Sequence, residues 1–297
     1  MEKSKFSVAV VAAGCLWGFM GLFRRYMGAI GVPTAGVTIL RCGVAAILFG
    51  ITLLIKDPKL LKIRVKDIWC FLGTGLLSLL FFSMCYYNAM NLMSLSAAAI
   101  LLYTAPGIVV ILSHFVFKEL LTRRKILALL LAFAGCCLVC GLGSSDTTLS
   151  TVGILYGLGS GIGYALYSIF GKLAMDKGYS SGTVNFYTTL FACVGAAAIW
   201  GIGDSASAMF SSWGNFGLCI AAGIATCYLP YMLYTYGLSG LEAGKASIMA
   251  SIEPVVATFV GIIFFHETLT PLSAAGVALV LAAVVLLNLN KPVKVRA

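Results

Sequence analysis

Residues 96–122 read SAAAILLYTAPGIVVILSHFVFKELLT, and residues 244–270 read GKASIMASIEPVVATFVGIIFFHETLT. The second stretch begins 148 positions after the first, and this offset aligns Pro106 with Pro254 and one E-x-L-T motif with the other. Each stretch contains enough apolar residues for a transmembrane helix, which needs about 20. The chain therefore carries an internal repeat whose matching units contain membrane-spanning helices.

The composition agrees with a membrane protein. Of 297 residues, 61% are hydrophobic and 10% charged, and the mean hydropathy is +1.02. A soluble domain averages about 25% charged residues, so this chain has too few charges to cover a surface in contact with water. The cysteines lie mainly in apolar runs and are expected to act as small hydrophobes. His114 and His266 form no metal signature, so we expect neither a metal nor a cofactor.

Apolar runs between short polar breaks predict ten transmembrane helices, here numbered spans 1 to 10. The predicted bounds are 6–28, 34–55, 68–90, 95–117, 124–142, 152–174, 181–203, 214–237, 244–265 and 271–289. The repeat divides them into two units of five, residues 1–143 and residues 144–297, the second ending in a short basic tail. Because five is odd, the units must enter the membrane in opposite orientations, as in transporters built from inverted repeats.

Basic residues indicate the orientation of the chain. With the N-terminus inside, most of the lysines and arginines lie on the cytoplasmic side, as the positive-inside rule requires. The break 56–67, KDPKLLKIRVKD, is the most basic. We therefore expect a multi-pass protein of a prokaryotic plasma membrane with both termini cytoplasmic. The basic residues are spread over several loops, which argues against nucleic-acid binding.

These features together resemble a known family. Trp17-Gly18 in span 1, Arg41 in span 2, the proline in spans 4 and 9, and the E-P-V-V-A text of span 9 are similar to the EamA-type members of the drug/metabolite transporter superfamily. The resemblance covers two tandem EamA units, about residues 7–143 and 152–290. It implies a ten-helix inverted-repeat carrier for small metabolites, amino acids often among them, and leaves the substrate open.

Glu253 lies in the middle of span 9, where a carboxylate costs about 2.5–3.5 kcal/mol on insertion scales. Small residues at helical spacing, such as Ala246 and Ala250, suit a face packed against protein. We therefore expect Glu253 to point into the bundle. It could carry protons, hold a substrate cation, or act as a structural acid paired with Arg41 or a backbone donor. The repeat aligns it with Ala105, so the acid occurs in one unit only.

Other polar and aromatic residues of the spans are candidates for substrate binding or translocation. Arg41 could meet a substrate anion or serve as an interior ion-pair partner. Aromatic groups deep in a membrane need hydrogen-bond partners or water, so they can line a cavity; those near span ends, Tyr86 and Tyr234 among them, also suit an interfacial belt. The aromatic candidates are Trp17, Tyr86, Tyr103, Tyr164, Tyr228 and Tyr231.

Four further residues are candidates for conformational roles. Pro106 and Pro254 each remove a backbone hydrogen bond, and they could form hinges for opening or fixed packing kinks. Glu119 and Glu267 end spans 4 and 9, where they could tie the helical hairpins together or take part in gating.

The expected function is secondary-active transport by alternating access, with an amino acid or related zwitterion as substrate and export as direction. The alternative substrates are vitamins, nucleobases, carboxylates and drug-like cations. A channel, a lipid scramblase and a membrane-embedded enzyme are rival classes, and the sequence contains no nucleophile–base pair for the last. We expect protons and lipids as further partners, and a monomer or a weak dimer.

Overall fold

The computed structural model describes residues 2–141, 150–266 and 268–288. Glu267 and the basic C-terminal tail lie outside these described residues. Within the described ranges the chain is helical and has no β-strand. Large apolar side chains face outward on many helices; Ile55 is 82% exposed and Phe115 76%. Such extensive apolar exposure is rare on soluble monomers, and it fits contact with lipid.

The described residues form sixteen α-helices, two π-helical segments and two 3₁₀ turns. The α-helices are Glu2–Gly18, Met20–Ala29, Thr34–Lys56, Ile68–Leu72, Phe81–Leu92, Leu95–Leu102, Ala105–Phe117, Arg123–Val139, Thr151–Asp176, Ser181–Trp200, Gly203–Phe210, Trp213–Gly223, Leu229–Gly240, Ala243–Ala250, Glu253–Phe265 and Pro271–Asn288. The π-helical segments are Gly73–Leu80 and Ile224–Tyr228, and the 3₁₀ turns are Pro58–Leu61 and Val65–Asp67.

In the described chain, nine helical segments are long and apolar enough to cross a bilayer. Span 5, Arg123–Val139, has 17 residues, the lower end of the usual range of about 17–25, and is the tenth. The protein is thus an all-α, multi-pass membrane protein, as predicted. The short helix Gly203–Phe210 joins spans 7 and 8.

The backbone repeats its irregular features at the sequence offset. Span 4 breaks after Leu95–Leu102 and resumes at Ala105–Phe117, while span 9 breaks after Ala243–Ala250 and resumes at Glu253–Phe265. Each resumed helix has its proline in the first turn, where the missing N–H leaves a carbonyl of the preceding segment without its helical donor. At both prolines the regular helical hydrogen bonding is interrupted, while the linking residues Thr104 and Ile252 keep right-handed helical dihedral angles.

Two further features obey the same offset. The C-caps of spans 4 and 9, Lys118 and His266, both adopt the left-handed conformation with φ 55°. Spans 3 and 8 both contain a π-helical segment, Gly73–Leu80 and Ile224–Tyr228, and such segments are frequent at functional sites. The repeat read from the sequence is therefore a repeat of backbone structure.

Equivalent spans of the two units pack against each other in opposite directions. In the contact of spans 5 and 10, Gly135 lies against Val280, whereas Val139 lies against Gly276. Residue numbers therefore rise along one helix where they fall along the other, so the two helices are antiparallel. Spans 2 and 7 behave likewise, since Gly43 meets Cys193 and Gly50 meets Phe186. Antiparallel contact between equivalent helices is what an inverted repeat requires, and the predicted fold class is confirmed.

Glycines of span 1 bring it close to the break in span 9. A Cβ atom added at Gly14 would lie 2.8 Å from the Ala250 carbonyl oxygen, and one at Gly18 would lie 2.9 Å from that of Glu253. Span 6 approaches span 4 in the same manner, with Gly161 beside the Leu101 carbonyl. Small residues permit such contacts inside a membrane, and here they hold both broken helices at the centre of the bundle.

Candidate transport site

A small cavity lies where the two broken helices meet span 6, and we call it the acid cavity. Its volume is about 10 Å³, enough for about one water molecule. Three of its wall positions in unit 1 are matched at the repeat offset by three in unit 2. The matched pairs are Leu102 with Ala250, Tyr103 with Ser251, and Ala105 with Glu253. Because equivalent residues of both units meet here, the acid cavity lies on the pseudo-two-fold axis.

Two polar groups of the acid cavity, the Glu253 carboxylate and the Ser247 hydroxyl, lack side-chain hydrogen-bond partners in the described part of the chain. Among the described residues, the Glu253 carboxylate has no ion pair within 4.0 Å and no hydrogen bond. Ser247, also in the wall, is 2% exposed, and its Oγ has no hydrogen-bond partner. Buried polar groups are normally satisfied. A carboxylate and a hydroxyl left open toward one cavity are therefore a place for a proton, a water or a cationic ligand.

A second cavity, the aromatic cavity, adjoins the first through Tyr164, which lines both. Its volume is about 20 Å³. Trp17 stands at the centre of its wall, with ring centroids 6.2 Å from Tyr164 and 5.4 Å from both Tyr231 and Tyr234. These edge-to-face and tilted contacts are the favourable geometries for aromatic groups. The remaining wall residues are Ser78, Leu79, Phe82, Tyr167 and Ser168.

Arg41 does not pair with Glu253. Its Nη2 donates to the Thr226 carbonyl oxygen at 2.6 Å. That carbonyl lies in the π-helical segment Ile224–Tyr228, and Pro230, four residues later in span 8, has no N–H to offer it. The Nε atom of Arg41 is buried without a hydrogen-bond partner. The guanidinium thus keeps an unused donor beside the π-helical segment, and it lines neither the acid nor the aromatic cavity.

The other sequence candidates divide into two groups. Trp17, Tyr103, Tyr164, Tyr231 and Pro106 line one or both cavities, and Pro254 follows Glu253 directly. Tyr228 and Tyr86 line neither cavity. Tyr228 forms a hydrogen bond of 2.9 Å with Thr52, and Tyr86 stacks on Phe82 at 5.8 Å between ring centroids. Glu267 is not among the described residues.

Several cavity residues were missed in the sequence. Helical spacing along a continuous span 9 does not place Ser247 or Ser251 on the face of Glu253, whereas both line the acid cavity together with it. Tyr234 suited an interfacial belt by its place near a span end, yet it is 2% exposed and forms a 2.7 Å hydrogen bond with Ser168. The repeat could have indicated the break, because both prolines stand at equivalent positions.

Glu119 joins the two units at the face of the bundle where span 1 begins, here called the N-terminal face. Its carboxylate accepts hydrogen bonds from the backbone N–H groups of Ala243 at 2.6 Å and Gly244 at 3.2 Å. It therefore caps span 9 of the other unit, where the helix dipole favours an anion. Lys125 lies 3.2 Å from Glu119 and 2.7 Å from Glu242. Glu119 thus connects spans 4 and 5 of its own unit through Lys125, and it connects unit 1 to span 9 of unit 2.

Asp67 forms a second link at the same face. Lys177 donates to it at 2.9 Å, Arg64 at 2.7 Å and the Tyr179 hydroxyl at 2.9 Å. The carboxylate side chain is 1% exposed. The hydrogen bond to Asp67 raises the pKa of Lys177 above its usual value. This network connects the span 2–3 loop of unit 1 with the span 6–7 loop of unit 2, so the two units are fastened at two points of one face.

Comparison with known proteins agrees with this architecture. A family model described as the EamA-like transporter family matches residues 5–141 and residues 151–289, one match for each unit. The chain belongs to the EamA-like transporter family. An EamA-like transporter with two tandem units is what the repeat and the resemblance predicted.

Similar proteins cover nearly the full chain of this EamA-like transporter. An uncharacterized transporter of Archaeoglobus fulgidus is 29% identical over 94% of this chain and 94% of its own. The threonine/homoserine exporter RhtA of Escherichia coli K12 is 26% identical, with 93% and 88% covered. A solved crystal structure aligns with a TM-score of 0.78 at 19% identity, over 95% of this chain and 96% of its own, which supports the fold.

Proposed function

We propose that this protein is a secondary-active transporter that exports a small zwitterionic metabolite, an amino acid in the first place, by alternating access. The observation that carries the proposal is the unpaired Glu253 carboxylate in a cavity on the axis between two inverted units. Transporters of this architecture bind substrate near the membrane midplane between their repeats. The similarity to an exporter of threonine and homoserine supports both the substrate class and the direction.

The site residues have separate tasks in this proposal. Glu253 and Ser247 bind the substrate ammonium or, when no substrate is present, a proton. The aromatic cavity around Trp17 accepts the body of the substrate. Arg41, with its unused Nε donor, meets the carboxylate once the substrate enters. Because each cavity now has room for about one water molecule, the two units must move apart before a metabolite can bind.

The orientation follows from the charge distribution. With the basic loops facing the cytoplasm of a prokaryote, the N-terminal face is the cytoplasmic face. The Glu119 and Asp67 links then hold the cytoplasmic ends of the two units, residues 1–143 and 144–297, together. Export begins when these links open and admit substrate from inside.

A carrier of vitamins, nucleobases, carboxylates or drug-like cations is the alternative within the same class. A channel or a scramblase is the alternative outside it. Carriers show saturable exchange and channels do not, so counterflow separates these possibilities.

The test is counterflow with the purified protein in liposomes. Vesicles are loaded with one unlabelled amino acid at a time, threonine and homoserine first, and uptake of the labelled compound is followed at several pH values. The variant Glu253→Gln is compared with Asp204→Asn, a matched carboxylate-to-amide change at an exposed residue in the first turn of the short helix Gly203–Phe210. We expect saturable exchange in the wild type and in Asp204→Asn.

In Glu253→Gln we expect a loss of exchange of about tenfold or more, because hydrogen bonds to a charged group contribute about 1.5–3 kcal/mol. The pH dependence of the remaining exchange should flatten. Normal exchange with an unchanged pH profile in this variant would remove Glu253 from the mechanism. Absence of exchange for every amino acid by folded wild-type protein would instead reject the substrate class.

A further inference from the structure

A third cavity, the polar chamber, lies at the N-terminal face, apart from the two central cavities. Its volume is about 310 Å³, which reaches the lower end of the range for small-molecule sites, about 300–1,000 Å³. The chamber is formed by the ends of spans 6, 7 and 8. Its wall residues are Lys172, Met175, Asp176, Tyr179, Ser180, Ser181, Leu238 and Ser239.

Two opposite charges face the chamber without neutralising each other. Lys172 and Asp176 are four residues apart on span 6, so they lie one turn apart on the same helix face. In the described part of the chain they form no ion pair within 4.0 Å. The Lys172 ammonium lies instead 5.6 Å from the centroid of the Phe117 ring. A positive and a negative group remain available for a ligand about one helical turn long.

The rest of the wall supplies hydrogen-bonding groups. The Ser180 hydroxyl caps span 7 by accepting from the Thr183 N–H at 3.1 Å. Ser181 and Ser239 add two hydroxyls from spans 7 and 8. The Ser239 hydroxyl already donates to the Tyr236 carbonyl oxygen at 2.7 Å and can still accept from an ammonium, whereas a hydroxyl such as that of Ser181 can donate or accept.

The chamber also touches a link between the units. Tyr179 forms part of its wall, and the Tyr179 hydroxyl donates to Asp67 at 2.9 Å. A ligand that forms a hydrogen bond with the Tyr179 hydroxyl would therefore compete with one of the contacts that close this face. The chamber stands at the side from which the proposed exporter takes its substrate.

We propose that the polar chamber is an entry site for a free small zwitterion, with Lys172 holding the carboxylate and Asp176 the ammonium. The identity of the ligand rests on the proposed function. Occupancy of the chamber precedes transfer to the acid cavity, and it loosens the Asp67 network through Tyr179.

The test measures occupancy without transport. Ser239 is exposed, and the native cysteines of the described chain are buried or partly buried, none of them exposed. The substitution Ser239→Cys therefore gives a thiol that a charged maleimide should label well above the wild-type background. Labelling rates are measured in detergent with and without threonine or homoserine, and again in nanodiscs that contain phosphatidylethanolamine, whose headgroup is also zwitterionic.

We expect the amino acid to slow labelling at least threefold in the Ser239→Cys protein and equally when Glu253→Gln is added. Adding Lys172→Gln or Asp176→Asn should abolish the protection. Protection that survives both chamber variants, protection that is lost with Glu253→Gln, protection by the lipid alone, or no protection by either amino acid would each overturn the proposal. Counterflow by the wild-type protein reports the proposed function separately, so the failure of one is distinguishable from the failure of the other.

Discussion

Replacing Glu119 by glutamine should loosen the N-terminal face of the bundle. The Glu119 and Lys125 side chains are both 5% exposed, so their ion pair is largely shielded from water. The carboxylate also accepts from the N–H groups of Ala243 and Gly244. A neutral amide retains one acceptor oxygen and turns an NH₂ group toward the remaining donors. The variant therefore loses charge at the helix N-terminus and places donor against donor.

The loss of stability in the Glu119→Gln variant can be estimated from these contacts. Removing one partner of a buried ion pair costs about 3–5 kcal/mol, and a hydrogen bond to a charged group contributes about 1.5–3 kcal/mol. Lys125 keeps its second partner, Glu242, at 2.7 Å, which reduces the penalty for an unpaired lysine. We expect a loss of about 3 kcal/mol in the free energy of unfolding for Glu119→Gln.

The matched control is Glu242→Gln, because Glu242 contacts the same lysine but its side chain is 52% exposed. Exposed ion pairs contribute about 0–1 kcal/mol, so the control should lie close to the wild type. Both variants are unfolded in detergent under identical conditions and compared by the denaturant midpoint. In the combined variant Glu119→Gln with Lys125→Met, part of the loss should be recovered.

Equal effects of the two glutamine variants would refute the assigned role of burial. A change below about 0.5 kcal/mol in Glu119→Gln, the level typical of plain surface sites, would refute the link between the units. If Glu119 links the two units, the Glu119→Gln substitution should also speed the labelling of a cysteine at the N-terminal face. This readout is independent of unfolding.

Two other predictions concern packing and pH. Gly135→Ala should destabilise the protein by about 1–3 kcal/mol, because the new Cβ would lie 2.7 Å from the Gly276 carbonyl oxygen; the control Gly107→Ala meets no atom closer than 4.0 Å and should be neutral or stabilising in the same unfolding assay. Asp67→Asn should lower the melting temperature at neutral pH. Since Asp67 raises the pKa of Lys177, the stabilisation is present below the usual lysine pKa and is lost as the pH rises through the raised value. The difference between wild type and Asp67→Asn should shrink there, and a difference that is constant with pH would contradict the assignment.

The large-scale fold could be read from the sequence because the bilayer imposes it. Apolar length determines the spans, and the span predicted at 244–265 is observed as Ala243–Phe265. The repeat offset likewise follows from residue identities and reappears in the caps Lys118 and His266. Both are properties of the order of residues along the chain, which a single sequence records directly.

The arrangement around the site could not be read in the same way, because it depends on contacts between distant segments. The acceptor of Arg41, the Thr226 carbonyl, lies in a π-helical segment of another span. Tyr228 has suitable depth in the membrane but faces Thr52. The depth of a residue in the membrane follows from its position along the span, whereas the direction of its side chain follows from how the helices pack.

The position of the acid is explained by the symmetry of the two units. Ala105 and Glu253 occupy equivalent positions, and both line the acid cavity. If each unit had an acid there, two carboxylates would share a cavity of about 10 Å³, and like charges so close oppose ionisation of both. Because only unit 2 has an acid at this position, a single carboxylate lies in the cavity between the two units. In the mechanism proposed above, a group in that place meets substrate whichever face of the bundle is open, as alternating access requires of a binding residue.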